Sequence, residues 1–402
     1  MANVSSSNGL EKYPKLRFKG FSEPWHEIAI GDLFKVTRGY VLPSTAVKEE
    51  PQDGFIFPVF SSQTKNEGLM GYYNEYLYED AITWTTDGAN AGTVHFRDGK
   101  FYCTNVCGVL LNEDGNANRC VAEILGSVSK KYVSYVGNPK LMNNVMSEIR
   151  IHIPSLHEQK KIDSFIASLD HRITKQRELI EHLKKYKRGV SEQLFEQIKS
   201  KSTQHVFSSI FVLLQNNTFS RELLTNEETE MQNIHYGDVL IKYGSCVDID
   251  KEDVPYIKSD APVDKFAPES YLMSGDIVIA DTAEDYTVGK ATEIINPNNK
   301  KILSGLHTIP CRPVMSFAPM FMGYYLNSSS FRSQIMPLIQ GTKVSSIGKT
   351  QLMKTTVYIP PVDEQKRIAD FLYSIDTKIN LLSETADKMI QLKSAMLQQL
   401  FI

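Results

Sequence analysis

Two stretches of the chain carry apolar residues at alternating steps of three and four. In the first, Ile162, Phe165, Leu169, Ile173, Ile180 and Leu183 share one face, which continues through Lys187, Val190 and Leu194. In the second, the same face carries Ile368, Phe371, Ile375, Ile379, Leu382 and Met389, then Lys393, Met396 and Leu400. Such stepping predicts long helices packed as a coiled coil, and the doubled four around Leu169 and Ile375 predicts a local stutter. Each helix would run about 40 residues, or roughly 60 Å, which makes it a spacer. Neither can bury its stripe alone, so the economical arrangement pairs them with each other, antiparallel.

The two stretches are copies. Ile153-Pro154, Glu158-Gln159-Lys160 and Ile162 recur as Ile359-Pro360, Glu364-Gln365-Lys366 and Ile368, at an offset of 206 residues held without a gap to the chain's end. From Ile153/Ile359 to Phe195/Phe401 there are 15 identities in 43 positions, which excludes an accident of composition. The Ile-Pro steps suit helix boundaries, because proline disfavours helix in the residue before it and is tolerated in a first turn.

Between the helices the period changes. Residues 1–152 and 203–358 show short β-like runs broken by Gly, Asp and Asn, among them Ala81–Thr85, Cys107–Leu111, Asp238–Ile241 and Asp276–Ala280. Glu79–Asp87 can be laid beside Gly275–Ala283, and each segment closes on a polar loop, Gly137–Lys140 and Gly341–Lys343. The expected fold is therefore two α/β (α+β) domains, 1–152 and 203–358, joined by helices at 153–202 and 359–402 with pseudo-twofold symmetry. That symmetry matches the symmetry of duplex DNA.

The charge alone says little about partners: 44 Lys and Arg stand against 47 Asp and Glu, net −3, which excludes a polybasic binder but not a locally basic groove. Residues 153–201 carry 11 Lys and Arg against 7 acids, while 359–402 carry 5 against 6. The five cysteines form no Cys-x-x-Cys pair, so reduced thiols in a cytoplasmic protein are expected, with no metal centre. Met1–Leu10 is polar and predicts no signal peptide, and no apolar run approaches the roughly 20 residues of a membrane span. No Asn-Pro-Pro-Tyr methylation motif is present, and Gly341 to Thr350 has the wrong spacing for a phosphate loop.

On the doubled Ile-Pro-x-x-x-Glu-Gln-Lys helix and the alternation of domain and helix, the chain resembles the specificity subunits of type I restriction–modification systems over almost its whole length. Trp25–Phe34 and His235–Leu240 add short features of the same kind. The resemblance implies a non-catalytic subunit whose two target-recognition domains each read half of a bipartite, asymmetric site in double-stranded DNA. Two adenine methyltransferase subunits would dock on it, and restriction/translocase subunits would complete the complex. S-adenosylmethionine, ATP and magnesium would belong to those partners. A single-chain DNA methyltransferase or nuclease with an unfamiliar motif is the alternative.

Base readout needs donors and acceptors on loops and element ends. In the first domain the candidates are Arg38, Tyr40, Ser62, Gln63, Thr64, Lys65, Asn66, Thr86, Asn90, Lys140 and Asn143. In the second they are Asn217, Ser220, Arg221, Lys242, Tyr243, Lys343, Ser345 and Ser346. On the helices, Lys184, Lys185, Lys187 and Arg188 form a basic run best read as a solvated face.

Overall fold

The computed structural model describes residues 2–3, 13–63, 65–261, 263, 266–341 and 344–401. The chain separates into two compact units: Met1–Glu178 with Ser383–Ile402, and Leu179–Leu382. Each takes the start of one long helix and the end of the other.

In unit 1, strands β1 (Lys35–Arg38), β2 (Phe57–Phe60), β3 (Leu69–Tyr73), β4 (Tyr78–Thr85), β5 (Val94–Cys103) and β6 (Cys107–Leu111) form one sheet in the order β1-β6-β4-β5-β2-β3. Only the β2–β5 pair is parallel. Side chains alternate across a strand, so Ile82, Trp84 and Leu110 face helix α1 (Arg119–Ser129) in a core shared with Trp25, Ile30 and Ile151. Gly108, opposite Trp84, makes room for the indole: a Cβ there would lie 2.1 Å from the ring. His26–Ala29 pairs with Arg150–Ile153, and the chain then enters α2 (Leu156–Ile198).

Unit 2 repeats this plan. Strands β7 (Phe211–Leu213), β8 (Cys246–Asp248), β9 (Ile277–Ala280), β10 (Ala291–Ile295) and β11 (Thr308–Pro313) lie in the order β7-β11-β9-β10-β8, again with one parallel pair, β8–β10. Ile277 and Ile279 face helices α3 (Phe321–Leu326) and α4 (Ser329–Ile335). The opposite face, with Val278, Ala280 and Ile294, packs on a second sheet that has no counterpart among the described residues of unit 1, made of Leu224–Thr225, Tyr256–Ile257, Met231–Ile234 and Lys301–Ser304. Thr203–Val206 pairs with Thr356–Ile359, which leads to α5 (Val362–Leu400). Glu293 caps α3, accepting the N–H groups of Met320 and Gly323 at 2.6 and 2.9 Å, while its burial pushes the carboxyl up to about 7.

Two sequence expectations change. The strand correspondence is one residue off: the bonds Leu141 N–H to Thr86 O and Ile347 N–H to Asp281 O place Thr86 beside Asp281, so Ile82 and Trp84 match Ile277 and Ile279. In a strand that single step decides which face is buried. Asp238–Ile241 belongs to a short helix, Tyr236–Ile241, because the His235 ring accepts the Gly237 N–H and turns the chain at its start.

The helices pair antiparallel within each unit. In unit 1, Lys393 meets Asp170 at 2.6 Å, while Leu397 and Phe401 pack on the core holding Ile162 and Ile166. In unit 2, Lys187 meets Asp376 at 2.6 Å, while Phe195 and Ile198 share a core with Ile368 and Leu372. Ile162, Ile173, Ile180, Ile368, Ile375 and Ile379 are buried, and Leu169, Leu183, Leu382 and Met389 half-buried. The early seam differs from the expectation: Ile166 and Leu372 are fully buried, whereas Phe165 turns to Phe18 (5.7 Å) and Phe371 is 39% exposed. With these residues the steps run four, three, four from Ile162 and Ile368, so the stutter disappears. The first turns pack on a globular domain as well as on the other helix, which favours the broader apolar face.

The motif glutamine has one role in both copies. Gln159 and Gln365, each 1% exposed, donate to the carbonyls of Pro154 and Pro360, at 3.0 and 2.9 Å. Their Oε1 atoms accept Asn118 Nδ2 in unit 1 and the Ala318 N–H in unit 2, fastening each helix start to its domain.

Candidate nucleic-acid interface

In unit 1, one end of the sheet gathers most of the sequence candidates. Arg38 ends β1 and Tyr40 follows it, where Gly39 allows a close approach: a Cβ there would lie 2.1 Å from the Cys103 carbonyl. The Thr86 N–H donates to Val106 O, and the hairpin Ser134–Lys140 joins the same end through an isolated bridge between Asp87 and Lys140. Lys140 Nζ lies 3.8 Å from Asp87 Oδ1, Asn90 Nδ2 donates to the Ser62 carbonyl at 3.2 Å, and Asn143 Nδ2 to the Thr37 carbonyl at 3.3 Å. Tyr40 and the hairpin residues Tyr135 and Val136 project into solvent, Val136 being 92% exposed. Gln63 bonds the Leu69 carbonyl, and Asn66 holds a left-handed φ of 49°. Thr86 is buried and donates to Asp87 and Val106 O. Thr64 lies outside the described residues, as does the side chain of Lys65.

The corresponding sheet end of unit 2 is built from the same backbone bonds with different side chains. Asp281 N–H donates to His307 O, and the hairpin Gln340–Ser346, 206 residues after Ser134–Lys140, pairs Ser345 and Ser346 with Ala283 and Thr282. His307, with φ 55°, lies 3.5 Å from Asp281 and 5.4 Å from the Tyr236 ring. Next to Tyr236, the His235 imidazole is pushed down by burial and by Arg221 beside it. Arg221 is held bidentate by Asp238 at 2.8 Å, a hydrogen-bonded pair that raises its own pKa. Ser220 is exposed, and Lys242 reaches the Asp253 carbonyl. Asn217 and Tyr243 are buried, Asn217 donating to Asn233 at 2.6 Å, so both serve the interior of the unit. Lys343 lies outside the described residues.

The structure adds Asp87, Tyr135 and Val136 to the candidates of unit 1 and Tyr236, Asp281, Thr282 and His307 to those of unit 2. The loops themselves are marked in the sequence by Gly137–Lys140 and Gly341–Lys343, and Gly305 followed by His307 marks the turn before β11. Among the described residues no cluster of three or more His, Cys, Asp or Glu could hold a metal ion, and no helix is long and apolar enough to cross a membrane. All five cysteines are free.

Comparison with known proteins agrees with this duplicated plan. The type I restriction modification DNA specificity domain matches residues 22–185 and again 229–391. The MjaVIII type I restriction enzyme specificity subunit of Methanocaldococcus jannaschii is 23% identical over 427 aligned positions, covering 97% of this chain and 95% of the relative. A Mycoplasma pneumoniae protein named as the N-terminus of a type I specificity subunit is 38% identical over 140 residues, 34% of this chain and 73% of the relative. In fold, the crystal structure of the type I restriction–modification S subunit from M. genitalium matches with a TM-score of 0.60 at 15% identity, over 97% of this chain and 99% of that one. With the family domain present twice, once around each sheet and its long helix, the chain belongs to the DNA specificity family of type I restriction–modification systems, whose members supply specificity and not catalysis.

Proposed function

We propose that each sheet end reads one half of a bipartite, asymmetric site in double-stranded DNA, with the long helices setting the separation of the halves. The observation that carries this reading is one backbone scaffold used twice with different side chains. Thr86, Val106, Tyr135, Val136 and Lys140 stand on the first copy, and Asp281, His307, Val344 and Ser346 on the second. Equivalent frames with unlike donors and acceptors read unlike base edges. Of the sequence candidates, Arg38, Tyr40, Ser62, Gln63, Asn66, Asn90, Lys140, Asn143, Ser220, Arg221, Lys242, Ser345 and Ser346 remain in this interface. Thr86, Asn217 and Tyr243 support it from beneath.

The chain scaffolds two adenine methyltransferase subunits, joined by restriction/translocase subunits in the full complex. Those partners bring S-adenosylmethionine, ATP and magnesium. Five free thiols suit a cytoplasmic setting. The test is to map methylated adenines produced by this chain with its methyltransferase partner, then exchange the hairpin Ser134–Lys140 for that of another family member. The expected result is a two-part motif in which only one half changes. Binding indifferent to sequence, or a change in both halves, overturns the reading.

A further inference from the structure

The sheet face of unit 1 that turns away from α1 contains a recess of about 110 Å³, whose lining includes Glu67, Thr83, Thr85, Asn90, His95 and Arg97. Arg97 is only 7% exposed. Its Nε donates to Thr83 Oγ1 at 3.0 Å, its Nη2 to the Glu67 carbonyl at 2.8 Å, and its guanidinium stacks 3.7 Å from the Phe60 ring centroid. Among the described residues Nη1 has no hydrogen-bond partner, and no carboxylate forms an ion pair with the group.

Burial lowers the Arg97 pKa to about 10, which leaves it charged at neutral pH. Burial, with Arg97 beside it, holds His95 down to about 4, and burial pushes the Cys107 thiol up to about 11, so both are neutral. The recess thus encloses a positive charge that no carboxylate among the described residues meets at ion-pair distance, Glu67 acting on it from farther off, an arrangement that proteins pair or neutralise. The fold does not demand it. The matching positions of unit 2 are Val278, Thr292 and Ile294, buried under the second sheet.

We propose that this recess is a binding site for one phosphate-class oxyanion, with the Arg97 guanidinium as its counter-charge and Thr85 and Asn90 as further donors. The phosphate comes from the DNA backbone, in which case the inference rests on the DNA-reading proposal, or from free inorganic phosphate. Two arms separate these sources.

In the first arm, inorganic phosphate is titrated into the full chain at fixed ionic strength, followed by calorimetry and by the emission of Trp84, which lines the recess. The expected result is saturable one-site binding that Arg97→Met weakens at least ten-fold and Asn90→Ala weakens several-fold with Arg97 still in place. No saturable binding by the wild-type protein, or equal binding by folded Arg97→Met, overturns the proposal. In the second arm, DNA affinity of the complex with its methyltransferase partner is measured against salt. A DNA phosphate in the recess makes Arg97→Met lower the slope of log K against log salt by about 0.9. An unchanged slope together with a positive first arm assigns the site to free phosphate. Failure of DNA recognition itself leaves the first arm intact.

Discussion

In unit 1 the motif glutamate Glu158 is buried against Arg17, a bidentate pair at 2.7 Å, and Phe165 is covered by Phe18 from the same N-terminal segment. In unit 2 its counterpart Glu364 forms its ion pair with Arg367, three residues along its own helix, and Phe371 is partly bare. The sheets invert this relation. Unit 2 covers the second face of its sheet with an additional sheet, while unit 1 leaves there the polar recess of Arg97. The duplicated parts are thus the sheet order, the motif glutamine and the helix seam. What covers them was settled separately in each copy, as it can be where coverage and not topology is under local control.

The contrast can be broken most forcefully at Arg17. Arg17→Met strands a buried carboxylate and should cost unit 1 about 3–5 kcal/mol, whereas Arg367→Met on the exposed pair should cost under about 1 kcal/mol. Both tryptophans, Trp25 and Trp84, lie in unit 1, so a urea titration followed by their emission reports on that unit. Far-UV curves, which report on both units, are recorded beside it for Arg367→Met, and an equal loss in the two variants would remove the distinction.

A smaller effect is expected at Glu293, which occupies the strand position held by Phe96 in unit 1. Its folded pKa of about 7 exceeds the ordinary 4.5, so its contribution to stability is present in full below pH 4.5 and is lost as pH rises through 7. Glu293→Gln should flatten this fall, which is on the order of 3 kcal/mol, in far-UV unfolding curves taken between pH 4.5 and 8. A slope unchanged by the substitution would show that another group sets it. The smallest effect sharpens the likeness instead: Lys187→Met and Lys393→Met should each cost about 1 kcal/mol, because both pairs are only partly shielded. Exchanging the charges of Lys187 and Asp376 should recover most of that loss in a double-mutant cycle.

The long helices, their pairing and the two domains were legible in the sequence because a repeat of 206 residues and a three–four period are properties of the chain itself. The phase of the seam's first turns was not, since Phe165 and Ile166 are equally apolar and only Phe18 decides which one faces outward. Asp238–Ile241 misled because a four-residue apolar run has no period to measure. The candidate interface was half legible. Polar loop residues announced Arg38, Asn90 and Lys140, but Val136 and His307 are placed there by hairpin and turn geometry. Arg97 had no signal at all, for its meaning lies in its burial without an ion pair among the described residues.

The two interhelical ion pairs have an arithmetic of their own. Lys393 is Lys187 advanced by one repeat, and Asp376 is Asp170 advanced by one repeat, so each pair joins a residue of one copy to the complementary residue of the other. A half-length chain ending near residue 202 would already own both Asp170 and Lys187. Two such halves would find in each other the contacts that the full chain makes with itself, and the seam is in that sense a homodimer interface written into a single polypeptide.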